Sequence, residues 1–389
     1  MTIPPKIRTG SSFATGLGAF YAAFFAGAGV QLPFFPLWLE AKGLDPRWIG
    51  IVLSAPVLVR LFAVPLTTRE ADRRDALRAA LMIASVGTVF GYALVGLAQG
   101  PVAILVAFML ASVFYTPIIP LTDAYALRGL HRHGGIYGPI RLWGSAAFIV
   151  GNLAAGLASA VILPRDLIWL IVAGSAAAAV ASFALAPIES EAPSGSPQMS
   201  AKALLRSPAF LAVIAAASLI QGSHAVYYVF SAIDWRAAGL DTFSIGVLWA
   251  LGVLAEIVLF ALAGRLPASV GPIALLALAA VGAVIRWTAM AFDPPALLLP
   301  WLQCLHGLSF GAAHLGAMGF LARAAPPGLA ATAQGYLALA MGVVMAALMA
   351  LSGVLYAAYG GFAYAAMAVA AGAGGGFALL ARRADRSRG

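Results

Sequence analysis

The feature that most restricts this chain is a succession of apolar runs too long for a soluble core. Twelve of them lie near residues 14–39, 47–66, 79–98, 101–127, 139–163, 166–187, 208–234, 243–264, 270–292, 295–321, 329–357 and 359–381. A helix crossing a bilayer needs about 20 mostly apolar residues. In lipid every backbone group must be satisfied within the protein, which leaves helices and closed barrels. A barrel reads as short alternating segments, and these runs are continuous. The chain is therefore expected to be an all-α membrane protein with twelve transmembrane helices. The first run is too long for the apolar region of a cleavable signal peptide, and no clear A-x-A-like site follows it.

Charge supports this and orients it. Asp, Glu, Lys and Arg make up only 10% of the 389 residues, against roughly 25% in a typical soluble domain. Lys and Arg collect in short cytoplasmic loops of membrane proteins. With the N-terminus in the cytoplasm, 17 of them lie on that side, from Lys6 to Arg388. Four lie opposite (Lys42, Arg47, Arg165 and Arg236), and Arg60 and Arg286 fall inside apolar runs. This asymmetry accounts for the net charge of +9 without nucleic acid. It predicts a multi-pass protein of a bacterial-type inner membrane with both termini cytoplasmic. The single cysteine, Cys304, excludes an intrachain disulfide.

Residues 188–207 are rich in Pro, Ser and Glu and read as a cytoplasmic linker. They divide the chain into 1–187 and 208–389, six runs each. The two parts repeat. GLDPRWIGIV at 43–52 and GLDTFSIGVL at 239–248 share Gly-Leu-Asp and Ile-Gly at an offset of 196. At nearly the same offset Gly138 matches Gly335, and Gly156 matches Gly353. Two parallel six-span repeats are the mark of a rocker-type secondary transporter with its substrate site near the bilayer midplane. The offset also pairs Arg60 with Glu256, two intramembrane charges that must face a cavity or a partner.

Several stretches carry a resemblance over essentially the whole length: LPFFPLWLEAKGL at 32–44, ADRR at 71–74, YGPIRLWGSAAFIVGN at 137–152, AEI at 255–257, IRW at 285–287 and LQCLHGLSFGAAHLGAM at 302–318. In their order and spacing the chain resembles the major facilitator superfamily. Within it, the chain is similar to the phenylpropionate permease family, related to oligosaccharide–proton symporters such as lactose permease. The resemblance implies two pseudo-symmetric six-helix halves and proton-coupled uptake of a small organic solute by alternating access. It also implies a substrate role for Asp123 and Arg141. There are departures. Thr68, Glu70 and Asp75 replace the Gly, Leu and Gly of the superfamily's loop signature around Asp72 and Arg73. Ser309 stands where lactose permease has an acid three residues after its tenth-span histidine, here His306.

The residues themselves nominate sites. Counting along the helices at about 1.5 Å per residue, His224, Glu256 and His306 lie roughly 10, 13 and 11 residues from the outer edge, near one depth. A carboxyl in apolar surroundings holds a proton near neutral pH, so Glu256 is the leading proton-coupling candidate, and His306 and Asp123 are the further ones. The competing reading is a structural ion pair. Gln303, His306, Phe310 and His314 follow a 3, 4, 4 spacing that an α-helix places on one face. The substrate-binding candidates are Arg141, Phe148, Asn152, Gln303, His224 and Gln31. Arg141 either offers a planar fork suited to a carboxylate or joins Arg60 and Asp123 in a charge cluster that closes the inner gate, and Phe148 offers a ring. Arg60, Arg286, Asp72 and Arg73 are charge-pair or gate candidates. Gln31, Pro33 and the GAG at 27–29 are expected to loosen the first span, as Pro117 and Pro120 are the fourth.

No HxxxH or HExxH pair suggests a metal, and no GxGxxG or P-loop suggests a nucleotide cofactor. The loops are too short for an enzymatic domain. The expected partners are a small-molecule substrate, protons and the lipid bilayer, with the monomer as the working unit. The alternative is a proton-driven exporter of the same fold; a sugar or nucleoside cargo fits the aromatic-carboxylate resemblance less well.

Overall fold

The fold is that of a computed structural model, which describes residues 7–133, 137–188, 202–267, 270–324 and 329–386. Most of the expected linker (189–201) and the terminal charges Lys6 and Arg388 lie outside the described residues. Among the described residues there are helices and turns and no strand.

The helices are α1 (Ile7–Ala41), α2 (Pro46–Arg73), α3 (Leu77–Leu97), α4 (Pro101–Tyr115), α5 (Ile118–His133), α6 (Tyr137–Ala158) and α7 (Ile168–Phe183). After the short α8 (Lys202–Leu205) come α9 (Pro208–Gly222), α10 (Ala225–Ala237), α11 (Thr242–Leu262), α12 (Pro272–Ala291), α13 (Leu299–His306), α14 (Ala313–Ala324), α15 (Ala330–Tyr359) and α16 (Tyr364–Arg386). Among the described residues, eleven helical stretches are long and apolar enough to cross a membrane. The last of them, 332–384, turns at Gly360–Ala363 into α15 and α16, which makes twelve passes. Large apolar side chains such as Phe62, Phe90, Leu297 and Trp301 stand exposed on the helix surfaces, as lipid-facing residues do.

Contacts divide the chain into two compact units. The first comprises Met1–Leu44, Leu58–Ala192 and Trp235–Val247; the second comprises Asp45–Val57, Pro193–Asp234 and Leu248–Gly389. The start of α2 thus belongs with the second unit, and the start of α11 with the first. Lipid supplies no hydrophobic drive between helices, so close approach relies on small residues. In the first unit a methyl on Gly156 would lie 2.8 Å from the carbonyl oxygen of Thr242, whose Oγ1 donates to the Gly156 carbonyl at 2.9 Å. In the second unit a methyl on Gly353 would lie 2.5 Å from the carbonyl oxygen of Pro46. The matched glycines of the repeat make matched helix crossings.

The Gly-Leu-Asp repeat has the same physical content in both places. Gly43 and Gly239 adopt φ of 81° and 92°, which glycine tolerates without strain. Each ends a helix with the same pair of bonds: Gly43 N to Glu40 O and Leu44 N to Leu39 O, then Gly239 N to Arg236 O and Leu240 N to Trp235 O. The aspartate starts the next helix by accepting an orphan amide, Trp48 N on Asp45 and Ser244 N on Asp241, both at 2.9 Å. Ile49 and Ile245 follow as buried anchors.

Not every expected break is present. α1 runs unbroken through Pro33 and Pro36. Its glycines serve packing instead: Gly27 meets the backbone of Gly174, and Gly29 meets the Phe148 carbonyl. The fourth span does break, between α4 and α5 at Thr116–Pro117, because proline lacks the amide needed to continue the ladder.

Candidate functional site

The second unit buries an arginine. Arg286, on α12, has no exposed surface. An isolated buried charge is costly, so its donors must be met. Nη2 donates to Gln303 Oε1 at 2.6 Å. Nη1 is 3.0 Å from His306 Nδ1 and 3.4 Å from Ser309 Oγ. The guanidinium carbon lies 4.6 Å from the ring centroids of both Tyr227 and Trp287, within cation–π range.

Two helix irregularities present these partners. The break between α9 and α10 falls at Ser223 and His224. It leaves helix-end carbonyls that need donors. Ser223 Oγ donates to Ile220 O and accepts from Trp287 Nε1. His224 Nδ1 stands 3.2 Å from Ile220 O and 3.1 Å from Gln221 O. Between α13 and α14, Gly307–Ala312 winds as a π-helix, a form concentrated at functional sites. The Phe310 carbonyl there accepts from Gln221 Nε2 at 3.4 Å.

The π-turn changes the face expected for the tenth span. Gln303 and His306 precede it and are buried at the arginine. His314 follows it and is exposed. The added residue in the wide turn rotates the later segment away from the α-helical phase.

Chemistry fixes the direction of the bonds. Guanidinium only donates, so His306 Nδ1 accepts and the imidazole proton sits on Nε2. That nitrogen is 4.0 Å from Glu256 Oε2. Carbonyls only accept, so His224 carries its proton on Nδ1 and its Nε2, 3.2 Å from Ser309 Oγ, accepts from the serine. Every proton therefore points outward from Arg286. Small residues bring α11 close: Gly252 abuts the His306 side chain, and Gly307 abuts the Ala255 carbonyl. The Glu256 side chain keeps 22% exposure, whereas that of His306 keeps 8%. The carboxylate is the more exposed end of the array.

The first unit holds a second polar group. Tyr21 donates to Asp123 Oδ1 at 2.5 Å. The Arg141 guanidinium carbon lies 4.2 Å from the Phe25 ring and 5.6 Å from the Tyr21 ring. Gln31 lines a nearby cavity of about 10 Å³, with Phe24, Ser85, Thr88, Tyr115 and Ser175. That is about the space of one water.

The sequence model of the MFS_1 like family matches residues 14–367. The chain belongs to that family. It is 32% identical over 360 residues to the probable 3-phenylpropionic acid transporter of Escherichia coli (strain K12), covering 90% of this chain and 93% of that one. It is 30% identical over 341 residues to the maltose permease of Geobacillus stearothermophilus, covering 83% and 84%. Among solved structures, the nucleoside transporter NupG superposes with a TM-score of 0.79 at 18% identity, covering 96% of this chain and 98% of that one. A bacterial homolog of the human lysosomal transporter Spinster does so at 0.74 and 15%, covering 96% and 97%. These relatives are transporters, and the chain is a multi-pass MFS transporter rather than an enzyme.

In this MFS transporter Glu256, His306, His224, Gln303 and Arg286 come together in the second unit, and Asp123 and Arg141 in the first. Arg286 hydrogen-bonds Gln303, His306 and Ser309. Asn152 is fully buried, with Nδ2 donating to the Gly246 carbonyl at 3.0 Å, a helix–helix pin. Phe148 is buried, its carbonyl against Gly29. Asp72 pairs with Arg128 at 3.4 Å and Arg73 with Glu70 at 3.0 Å, both at the end of α2. Arg60 is exposed on α2, within electrostatic reach of Tyr115. Sequence reasoning did not select Tyr227, Trp287 or Ser309, because aromatics and serines in an apolar helix look like ordinary packing.

Proposed function

We propose that this MFS transporter is a proton-coupled symporter for a small aromatic carboxylate, with Glu256 as the proton-carrying group. The carrying observation is the directed array Arg286–His306–Glu256. Arg286 occupies Nδ1 of His306 as a donor, so the imidazole has no free acceptor site. The group left to take a proton is the partly exposed Glu256 carboxylate. Protonating it removes the negative end of the array, and that change biases one arrangement of the helices over another. The similarity to a probable 3-phenylpropionic acid transporter supports the substrate class. Sequence parts 1–187 and 208–389 serve as the two halves of alternating access, in an inner membrane with both termini cytoplasmic. The monomer is the transporting unit.

The test uses proteoliposomes with an entrapped pH dye. 3-Phenylpropionate, maltose and a nucleoside are added separately, with empty liposomes to measure passive acid leak. Protein-dependent proton entry with the acid supports the reading. Entry with maltose or the nucleoside alone replaces the substrate class, and protein-dependent solute uptake with no proton entry overturns coupling.

A further inference from the structure

Around Arg286 the buried polar atoms do not balance. Arg286 Nε, Gln303 Nε2 and Trp249 Nε1 are buried with no hydrogen-bond partner among the described residues. All three atoms can only donate. The Gln303 amide is oriented by its oxygen, which accepts from Arg286 at 2.6 Å, so its NH₂ group is the unmet end. Burial is complete at Arg286 and Gln303, and Trp249 keeps 3% exposure.

Trp249 belongs to the same place. On α11, Gly252 packs against His306, Ala255 against Gly307, and Glu256 Cγ near Gly311. In that parallel register Trp249, one turn before Gly252, stands level with Gln303, one turn before His306. Aromatic contacts close the group. The Tyr227 ring has the Arg286 guanidinium carbon 4.6 Å from its centroid, and it stacks on Trp249 with centroids also 4.6 Å apart.

We infer that Trp249 Nε1, Gln303 Nε2 and Arg286 Nε form the receptor for the substrate's carboxylate in this MFS transporter. Unmet buried donors beside a cation call for an acceptor carrying negative charge, because a buried donor without a partner has lost its water and gained nothing in return. The aromatic lining fits a flat apolar body attached to that acceptor. Tyr227 fills the slot between guanidinium and indole, so the ligand enters as that ring moves out. The inference rests on the carboxylate reading above and adds residues to it. It assigns the anion to the second unit instead of to Arg141, whose guanidinium stacks on Phe25.

The test is direct binding to purified full-length protein in detergent, using 3-phenylpropionate and the uncharged 3-phenyl-1-propanol. Trp249→Phe keeps a ring and deletes one donor. Gln303→Glu replaces the unmet NH₂ group with a carboxylate oxygen. Each variant is expected to bind the acid about tenfold or more weakly, with the alcohol's affinity kept within about twofold. Thermal unfolding checks that each variant is folded. Equal losses for acid and alcohol, or no loss for either, would overturn the receptor. Wild type that binds the alcohol or maltose but not the acid would overturn the carboxylate reading itself.

Discussion

Arg286 fixes the tautomer of His306: Nη1 of the guanidinium sits 3.0 Å from Nδ1 of the imidazole, and only one of the two atoms can accept. The bond turns the proton on Nε2 toward Glu256, 4.0 Å away. A second branch runs from Arg286 through Ser309 to His224 with its polarity set in the same way. One donor-only residue thus orders two histidines, with the Glu256 carboxylate at the more exposed end.

Removing that residue should be expensive. Arg286→Met leaves Gln303 Oε1 and His306 Nδ1 without their buried donor. Breaking a buried charged network by deleting one partner typically costs about 3–5 kcal/mol. The variant should melt well below wild type in detergent. Arg286→Lys should recover part of the loss, since it returns a charge but not the fork. A melting temperature unchanged in Arg286→Met would mean the array contributes little.

The repeat glycines give a second expectation. A side chain at Gly353 must displace the Pro46 carbonyl, 2.5 Å from the position a methyl would take. Overpacking of this kind costs about 1–3 kcal/mol. Gly353→Leu should therefore lower the melting temperature. Gly335→Ala on the same helix α15 meets nothing within 4 Å and should be neutral or slightly stabilising. Equal effects of the two would remove the helix crossing as the cause.

A third expectation concerns pH. Asp241 accepts from Ser244 N and Ser244 Oγ, each at 2.9 Å, and these bonds hold its carboxyl below the usual aspartate range. A carboxyl with a depressed folded value adds stability that is fully present above its unfolded value, about 4. That stability is lost as pH falls through the folded value. Asp241→Asn keeps the cap geometry and removes the charge. The difference in melting temperature between wild type and Asp241→Asn should be greatest near pH 6 and close toward pH 3. The group is fully exposed, so salt should shrink it. A difference that does not vary with pH would assign the effect to geometry.

Much of this was legible in the sequence, and for physical reasons. Apolar length alone marks the twelve passes. Gly43, Asp45, Gly239 and Asp241 are legible because a positive φ and an orphan amide each demand a particular residue type. The intramembrane charges Glu256 and Arg286 stand out because lipid makes them costly. Other features had no sequence signature. The π-turn at 307–312 inserts no distinctive residue, yet it separates His314 from His306 in phase. Tyr227, Trp249 and Trp287 are indistinguishable from packing aromatics until Arg286 is seen against their rings. Asn152 reads as a polar group free to bind a solute, and only the fold shows its amide on Gly246. The two compact units also trade the ends of α2 and α11, which linear order does not suggest.

Glu256 is proposed as the carrier of the coupled proton. The most direct measurement is dye-reported proton entry into proteoliposomes with Glu256→Gln beside wild type, with radiolabelled 3-phenylpropionate exchange followed in the same preparations. Wild type should move protons with the acid and accumulate it against its own concentration gradient when an inward proton gradient is imposed. Glu256→Gln should lose proton entry and accumulation yet still exchange labelled for unlabelled acid across the membrane. Accumulation at the wild-type level in Glu256→Gln would contradict the assignment.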